Sequence, residues 1–333
     1  MDTRLYNILT YLLIMGLTLL LGCSFADEGP ETDTLWNVAV SRSGAVTFKT
    51  DSLDCGRPWF CRDDSMIVYL QLKDRRSTQA VQSRLVVASV GGVEQLSTMK
   101  GFEFGKIVGI GPDTRWAIVS LRSEELYRVD LESGSTTFLS TLTGASDLSL
   151  APDGASLVCV EWEGIVQYTL PAMNRTVLFP APPPSNPSPF MPLLLPNGDL
   201  VFVRDSLSLP SVYVLHPGSG APVLLDRGTN PIGGKRKNVV AFKNDPSSTF
   251  RMFSLESGQP DDQGSGNGEP VQFLYDETSL LVKFSTWGSI WIAWPGGTQS
   301  IPYYSEISGY GVSTARDSTL ITGLVEWNPP YQP

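Results

Sequence analysis

The chain has 333 residues, 41% of them hydrophobic and 17% charged, with 31 glycines and 25 prolines, enough apolar material for a folded core and too little charge for a disordered chain. A net charge of -10 and a pI near 4.7 disfavour binding to nucleic-acid phosphates. There is one histidine, His216, which removes most triads, zinc centres and histidine-based acid–base designs.

The first predicted element is an address. Residues Met1 to Arg4 precede an apolar stretch from Leu5 to Leu21, 17 residues long, short of the ~20 a membrane-spanning helix needs. The acidic "SFADEGPETD" follows abruptly, so the segment reads as a secretory signal. Leu20-Leu21-Gly22-Cys23 resembles the bacterial lipobox. That resemblance implies cleavage before Cys23, acylation of its thiol, and a membrane anchor. The mature protein would then face the periplasm or cell surface, on the outer membrane in a Gram-negative cell. On this reading 1–22 is the signal peptide, 23–34 an acidic tether, 35–327 one folded domain and 328–333 a tail. An ordinary signal peptide or an uncleaved anchor is the plainer alternative. In an exported, oxidising compartment, Cys55 and Cys61 of "DCGRPWFC" suit a disulfide or two free thiols. Cys159, inside an apolar run, reads as a small core residue.

Further along, one pattern recurs: an apolar run, a tight turn and a second apolar run. Its clearest copy is "LSLAPDGASLVCVEW", Leu148 to Trp162. Copies centre on Asp64, Asp113, Asp153, Asn197, Lys237, Glu277 and Asp317, and from Asp113 onward they fall 40 to 44 residues apart. About 20 residues past most anchors comes a second turn, as at Ser133-Gly134, Gly218-Ser219 and Ser257-Gly258, with β-forming runs on either side. Each unit therefore reads as four antiparallel strands, A to D, with "PDG" between A and B and the Gly turn between C and D. A period near 40 made of short strands predicts an all-β propeller. After Asp317 only enough chain remains for strand B and a tail, while "LWNVAVSRSGAVTF" from Leu35 reads as strands C and D alone. Seven anchors predict seven four-stranded blades, the last completed by the N-terminal strands, which leaves no open sheet edge. A different parsing of the irregular first unit gives six or eight.

The "PDG" unit with its "-DL-SG-" hairpin resembles the TolB-type and WD-like propeller repeats of exported bacterial proteins, over most of residues 35 to 327. The units at Lys237 and Glu277 depart from the motif. The resemblance implies binding or scaffold roles in the envelope, and the family also includes enzymes.

In such propellers the A–B and C–D turns share one face, which makes the "PDG" turns structural. The B–C and D–A loops share the other. Candidate partner-binding residues on that second face are Arg75, Arg76, Glu161, Trp162, Arg204, Asp205, Lys243, Asp245 and Trp287, mixed charges beside tryptophans. Solvated loop charge is the plain reading of each taken singly. The proline-dense "FPAPPPSNPSPFMP" from Phe179 should be stiff and extended. "SGQPDDQGSGNGEP" reads as a flexible polar insertion, since its acids lack the spacing of a helix-loop-helix calcium site. His216 reads as a solvated turn residue. These features predict a monomeric, non-enzymatic binding or scaffold protein with no cofactor and no metal, whose partner is an envelope protein or glycan. The alternative is a carbohydrate or peptide lyase or hydrolase using a carboxylate pair among Glu161, Glu163 and Asp205.

Overall fold

The computed structural model describes residues 35–42, 45–50, 56–72, 83–92, 94–98, 104–121, 124–181, 189–206, 209–244, 249–284, 290–300, 308–314 and 320–327. Every regular element among them is a β-strand. The chain opens with β1 (Leu35–Arg42) and β2 (Ala45–Lys49). Six four-stranded blades follow, each from consecutive strands. The first holds β3 (Trp59–Cys61), β4 (Met66–Leu72), β5 (Ser83–Ser89) and β6 (Glu94–Thr98). The second holds β7 (Phe104–Ile110), β8 (Trp116–Leu121), β9 (Glu125–Asp130) and β10 (Thr136–Thr141). The third holds β11 (Ser146–Leu150), β12 (Ser156–Glu161), β13 (Gly164–Thr169) and β14 (Asn174–Pro180). The fourth holds β15 (Phe190–Leu194), β16 (Leu200–Ser206), β17 (Leu209–Leu215) and β18 (Val223–Arg227). The fifth holds β19 (Thr229–Gly233), β20 (Val239–Asn244), β21 (Thr249–Ser254) and β22 (Asp261–Asn267). The sixth holds β23 (Glu269–Phe273), β24 (Leu280–Lys283), β25 (Ile290–Trp294) and β26 (Gly297–Ser300). β27 (Ser308–Thr314) and β28 (Leu320–Trp327) are the last described strands.

The expectation of seven four-stranded blades, the last completed by the N-terminal strands, is corrected here: the structure has six blades of four consecutive strands. Six runs of the described chain carry a complete blade, and the anchor at Asp317 falls between two further strands, β27 and β28. Those two join the first two in a composite sheet of order β2-β1-β28-β27. β1 and β28 pair antiparallel from Leu35↔Trp327 to Arg42↔Leu320, one partner for each residue. The innermost strands adjoin in turn, β7 to β11, β15, β19, β23, β27 and β3, and β7 lies against β4 and β5, so the ring closes.

Burial grades outward across each blade. The second strands are enclosed by neighbouring blades on both faces and read as unbroken apolar runs: every residue of β8 is buried, as are the first four of β12 and of β20. The outermost strands β10, β14, β18 and β22 are largely exposed, which explains their polar sequences. The core is therefore a set of slabs between blades. Met66, Val68 and Leu85 meet Ala117 and Val119 between the first and second, and Val201 and Val214 meet Val240 and Phe242 between the fourth and fifth.

Two segments correct the sequence reading. The presumed polar insertion includes β22, paired along β21 from Thr249↔Asn267 to Ser254↔Asp261. Its glycines answer a packing demand, because a Cβ on Gly266 would sit 2.5 Å from the Phe250 ring. Asp262 is ion-paired with Arg251, which also reaches Asp226 at 3.1 Å. At the proline-dense segment, Phe190 to Pro192 already belong to β15, and 182–188 lie outside the described residues.

Candidate functional site

The A–B turns repeat one local chemistry. Asp113, Asp153 and Asn197 each accept the backbone N–H two residues on, at 3.1, 2.8 and 3.0 Å. In the sixth blade the residue doing this is Asp276, one position before the anchor read from sequence, and it accepts from Thr278 N–H at 3.0 Å. Although burial works against it, hydrogen bonds from Thr278 and Ser279 hold the Asp276 carboxyl below its ordinary range.

Glu277 is thereby released for another task. It is 4% exposed, and its carboxylate accepts the backbone N–H groups of Lys235, Arg236 and Lys237 from the fifth blade at 2.6 to 3.2 Å. Three successive N–H groups around one anion form a small backbone nest. Similar ties run from Arg62 N–H to the Thr114 carbonyl at 2.9 Å, and from Asn197 N–H to Asn238 Oδ1 at 2.9 Å. The turns on this face thus bond blade to blade as well as reversing the chain.

They also surround a cavity of about 350 Å³. Turns of the first, second, third, fifth and sixth blades contribute to it, which places it on the ring axis. Trp59 and Tyr275 supply aromatic surface, and Asp64, Lys235 and Arg236 supply charge of both signs. Tyr275 is 53% exposed, with the Arg236 guanidinium 3.8 Å from its ring centroid; Arg57 lies 4.5 Å over the Trp59 ring. Asp64 was visible in the sequence only as a repeat anchor, and Arg236 and Tyr275 carried no signal because the units at Lys237 and Glu277 depart most from the motif.

Of the residues singled out on the opposite face, five are described and fall on three consecutive blades. Glu161, Trp162, Arg204, Asp205 and Lys243 lie at or just past the ends of β12, β16 and β20. Arg75, Arg76, Asp245 and Trp287 lie outside the described residues, as do Cys23 and Cys55. Trp162 is 85% exposed. Glu161 and Glu163 do come together, but on one cation: both bond Arg175, and Glu161 also accepts from Tyr168. Burial, followed by Glu161, pushes the Tyr168 hydroxyl up to about 12, and the two glutamates drive the Arg175 guanidinium upward. The two glutamates and Arg175 thus form one charge cluster. Asp205 pairs with Pro210 in the fourth blade and joins neither glutamate in a described ion pair.

His216 corrects the reading of a solvated turn residue. It is half-buried, with Nδ1 2.8 Å from Oδ1 of Asp199, whose own exposure is 1%. Leu200 and Leu215 pair across β16 and β17, so the two residues flanking them meet at the end of the ladder. Cys61 and Cys159 are free, buried thiols, both pushed up to about 12 by burial.

No protein-family model matches the sequence, and no curated protein matches it. Solved structures do. An oligogalacturonate lyase from Vibrio parahaemolyticus superposes with a TM-score of 0.60 at 10% identity, covering 89% of this chain and 97% of the lyase. An oligogalacturonate lyase in complex with manganese gives 0.59 at 12% identity, over 87% and 93%. A TolB-type protein from Agrobacterium tumefaciens gives 0.50 at 12% identity, over 90% and 99%. At these identities the likeness defines the class, an all-β propeller, and stops there. Among the described residues no three His, Cys, Asp or Glu are grouped to hold a metal, and the one histidine is bonded to Asp199.

Proposed function

We propose that the chain is a lipid-anchored propeller of the cell envelope that binds a protein partner at the axial mouth of its A–B turns. The observation that carries this reading is the Arg236–Tyr275 pair, an exposed aromatic under a guanidinium at the rim of an axial cavity with charges of both signs. Aromatic and arginine side chains supply large contact area and directed polar contacts at interfaces. The nest around Glu277 holds that rim in place before a partner arrives, which lowers the ordering cost of binding. The lipobox-like Leu20 to Cys23 and the TolB-type fold likeness support the envelope setting, with Cys23 as the acylated residue. The sequence's own candidates on the opposite face are the competing surface.

The test is crosslinking and pull-down from native envelopes with three proteins: wild type, Arg236→Ala/Tyr275→Ala, and Arg204→Ala/Asp205→Ala/Lys243→Ala. Loss of captured partners in the first variant with retention in the second supports the axial mouth. Retention in the first and loss in the second moves the site to the opposite face. For the anchor, a fatty-acid analogue should label wild type and leave Cys23→Ala unlabelled; label persisting on the variant rejects acylation there.

A further inference from the structure

Four charged side chains line the axial cavity, Asp64, Lys235, Arg236 and Glu277, and three of them are already engaged. Glu277 accepts the backbone N–H groups of Lys235, Arg236 and Lys237. Asp64 and Lys235 each have interactions of their own within the protein. Arg236 is the one with capacity left. Its Nε lies 3.8 Å from Glu277 Oε1, beyond hydrogen-bond reach, and among the described residues no acceptor takes a hydrogen bond from the guanidinium. The Tyr275 ring, 3.8 Å away, restrains the guanidinium plane without using any of its N–H groups.

A planar fork of unused donors is matched by a carboxylate, which accepts two parallel N–H bonds. The nearby Glu277 does not forbid a second carboxylate on the same cation, since Arg175 in this chain serves Glu161 and Glu163 at once. Beside Arg236 the lining turns apolar, with Phe60, Ile110, Phe273 and Leu274. The space, about 350 Å³, admits a short piece of chain and no folded element.

We propose that the axial cavity takes the C-terminus of the partner's chain, ending in an apolar residue. Its free α-carboxylate would bridge the Arg236 fork, and the side chain on the same Cα would cover Phe60, Ile110, Phe273 and Leu274. An aspartate or glutamate side chain supplies the charge and leaves those walls bare, whereas a chain end supplies both from one residue. The chain end as source rests on the partner reading above; the carboxylate at Arg236 does not.

Fluorescence anisotropy of a pentapeptide ending in leucine, with a dye at its N-terminus, tests this in the full-length protein. The peptide with a free C-terminus should bind at least tenfold tighter than its C-terminal amide. That comparison is made in wild type and needs no variant to fold. Arg236→Gln should reduce the preference below twofold with an unchanged denaturation midpoint. Arg227→Gln, which removes an exposed cation at the end of β18, should keep it. Serine in place of the last leucine should weaken binding at least threefold, and a C-terminal amide carrying an internal glutamate should bind as weakly as the plain amide. Acid and amide binding alike, a preference surviving Arg236→Gln, serine binding as well as leucine, or an acid peptide unbound at millimolar concentration overturns the proposal. The glutamate amide matching the acid overturns the chain end as source. Each of these failures leaves partner capture at Arg236 and Tyr275, read from native envelopes, standing.

Discussion

Glu277 shows how much one side chain can carry in this ring. Its carboxylate serves three N–H groups of the neighbouring blade and is almost fully enclosed. Each buried donor left without an acceptor costs roughly 1–3 kcal/mol, but the three are adjacent and water can reach some of them after truncation. Glu277→Ala is therefore expected to destabilise by about 3 kcal/mol and Glu277→Gln by about half that, since an amide oxygen still accepts. Urea denaturation measures both; an alanine variant as stable as wild type would contradict the nest. The cysteines give a second test at this scale. Burial holds the Cys61 and Cys159 thiols protonated, and the thiolate is the reactive form. Iodoacetamide at pH 8 should modify neither in the native protein and both in denaturant, as read by mass spectrometry of their peptides. Rapid native labelling of either would show that it is not enclosed.

At the scale of the element, the B–C turn of the third blade separates what packing fixes from what it leaves free. Gly164 has φ of 129°, and a Cβ there would lie 2.1 Å from the Phe179 carbonyl oxygen. Backbone cannot step aside as a side chain can, so Gly164→Ala is expected to cost about 3 kcal/mol from strain at the turn and a disrupted β13–β14 pair. Two residues earlier, Trp162 is exposed, and Trp162→Ala should change stability by less than about 0.5 kcal/mol. Denaturation midpoints of the two variants decide the matter, and a neutral Gly164→Ala would refute the close approach. The A–B turn of the same blade shows what sequence could reveal. The "PDG" of Pro152 to Gly154 was legible because its spacing repeats and its Asp bonds locally. The blade-to-blade ties were not legible, because Glu277 and Lys235 to Lys237 are about 40 residues apart and neither segment carries the repeat's residues. β22 was misread for a related reason. An outermost strand buries little, so "DDQGSGN" has no apolar alternation to betray it, and its glycines respond to Phe250 across the ladder.

For the whole molecule, period and composition made the propeller class and the split composite sheet legible from the chain alone. The axial cavity was not legible, because charge beside tryptophan is visible in sequence and convergence on an axis is not; the candidate loops of the opposite face stand as the competing surface. Every functional placement rests on a ring closed by its own termini. Among the described residues β1 and β28 form the longest strand pairing, eight residues against eight, with Ala39 opposite Gly323. Antiparallel partners directly opposite each other lie within the separation a disulfide spans. The decisive measurement is oxidation of Ala39→Cys/Gly323→Cys, with Cys23 and Cys55 changed to serine, followed by peptide mass spectrometry. A disulfide-linked peptide joining positions 39 and 323 within one chain, absent from a control pairing Ala39→Cys with Leu320→Cys, is the predicted result. Equal linking in both, or links only between chains, would contradict the closed ring and the axial mouth built on it.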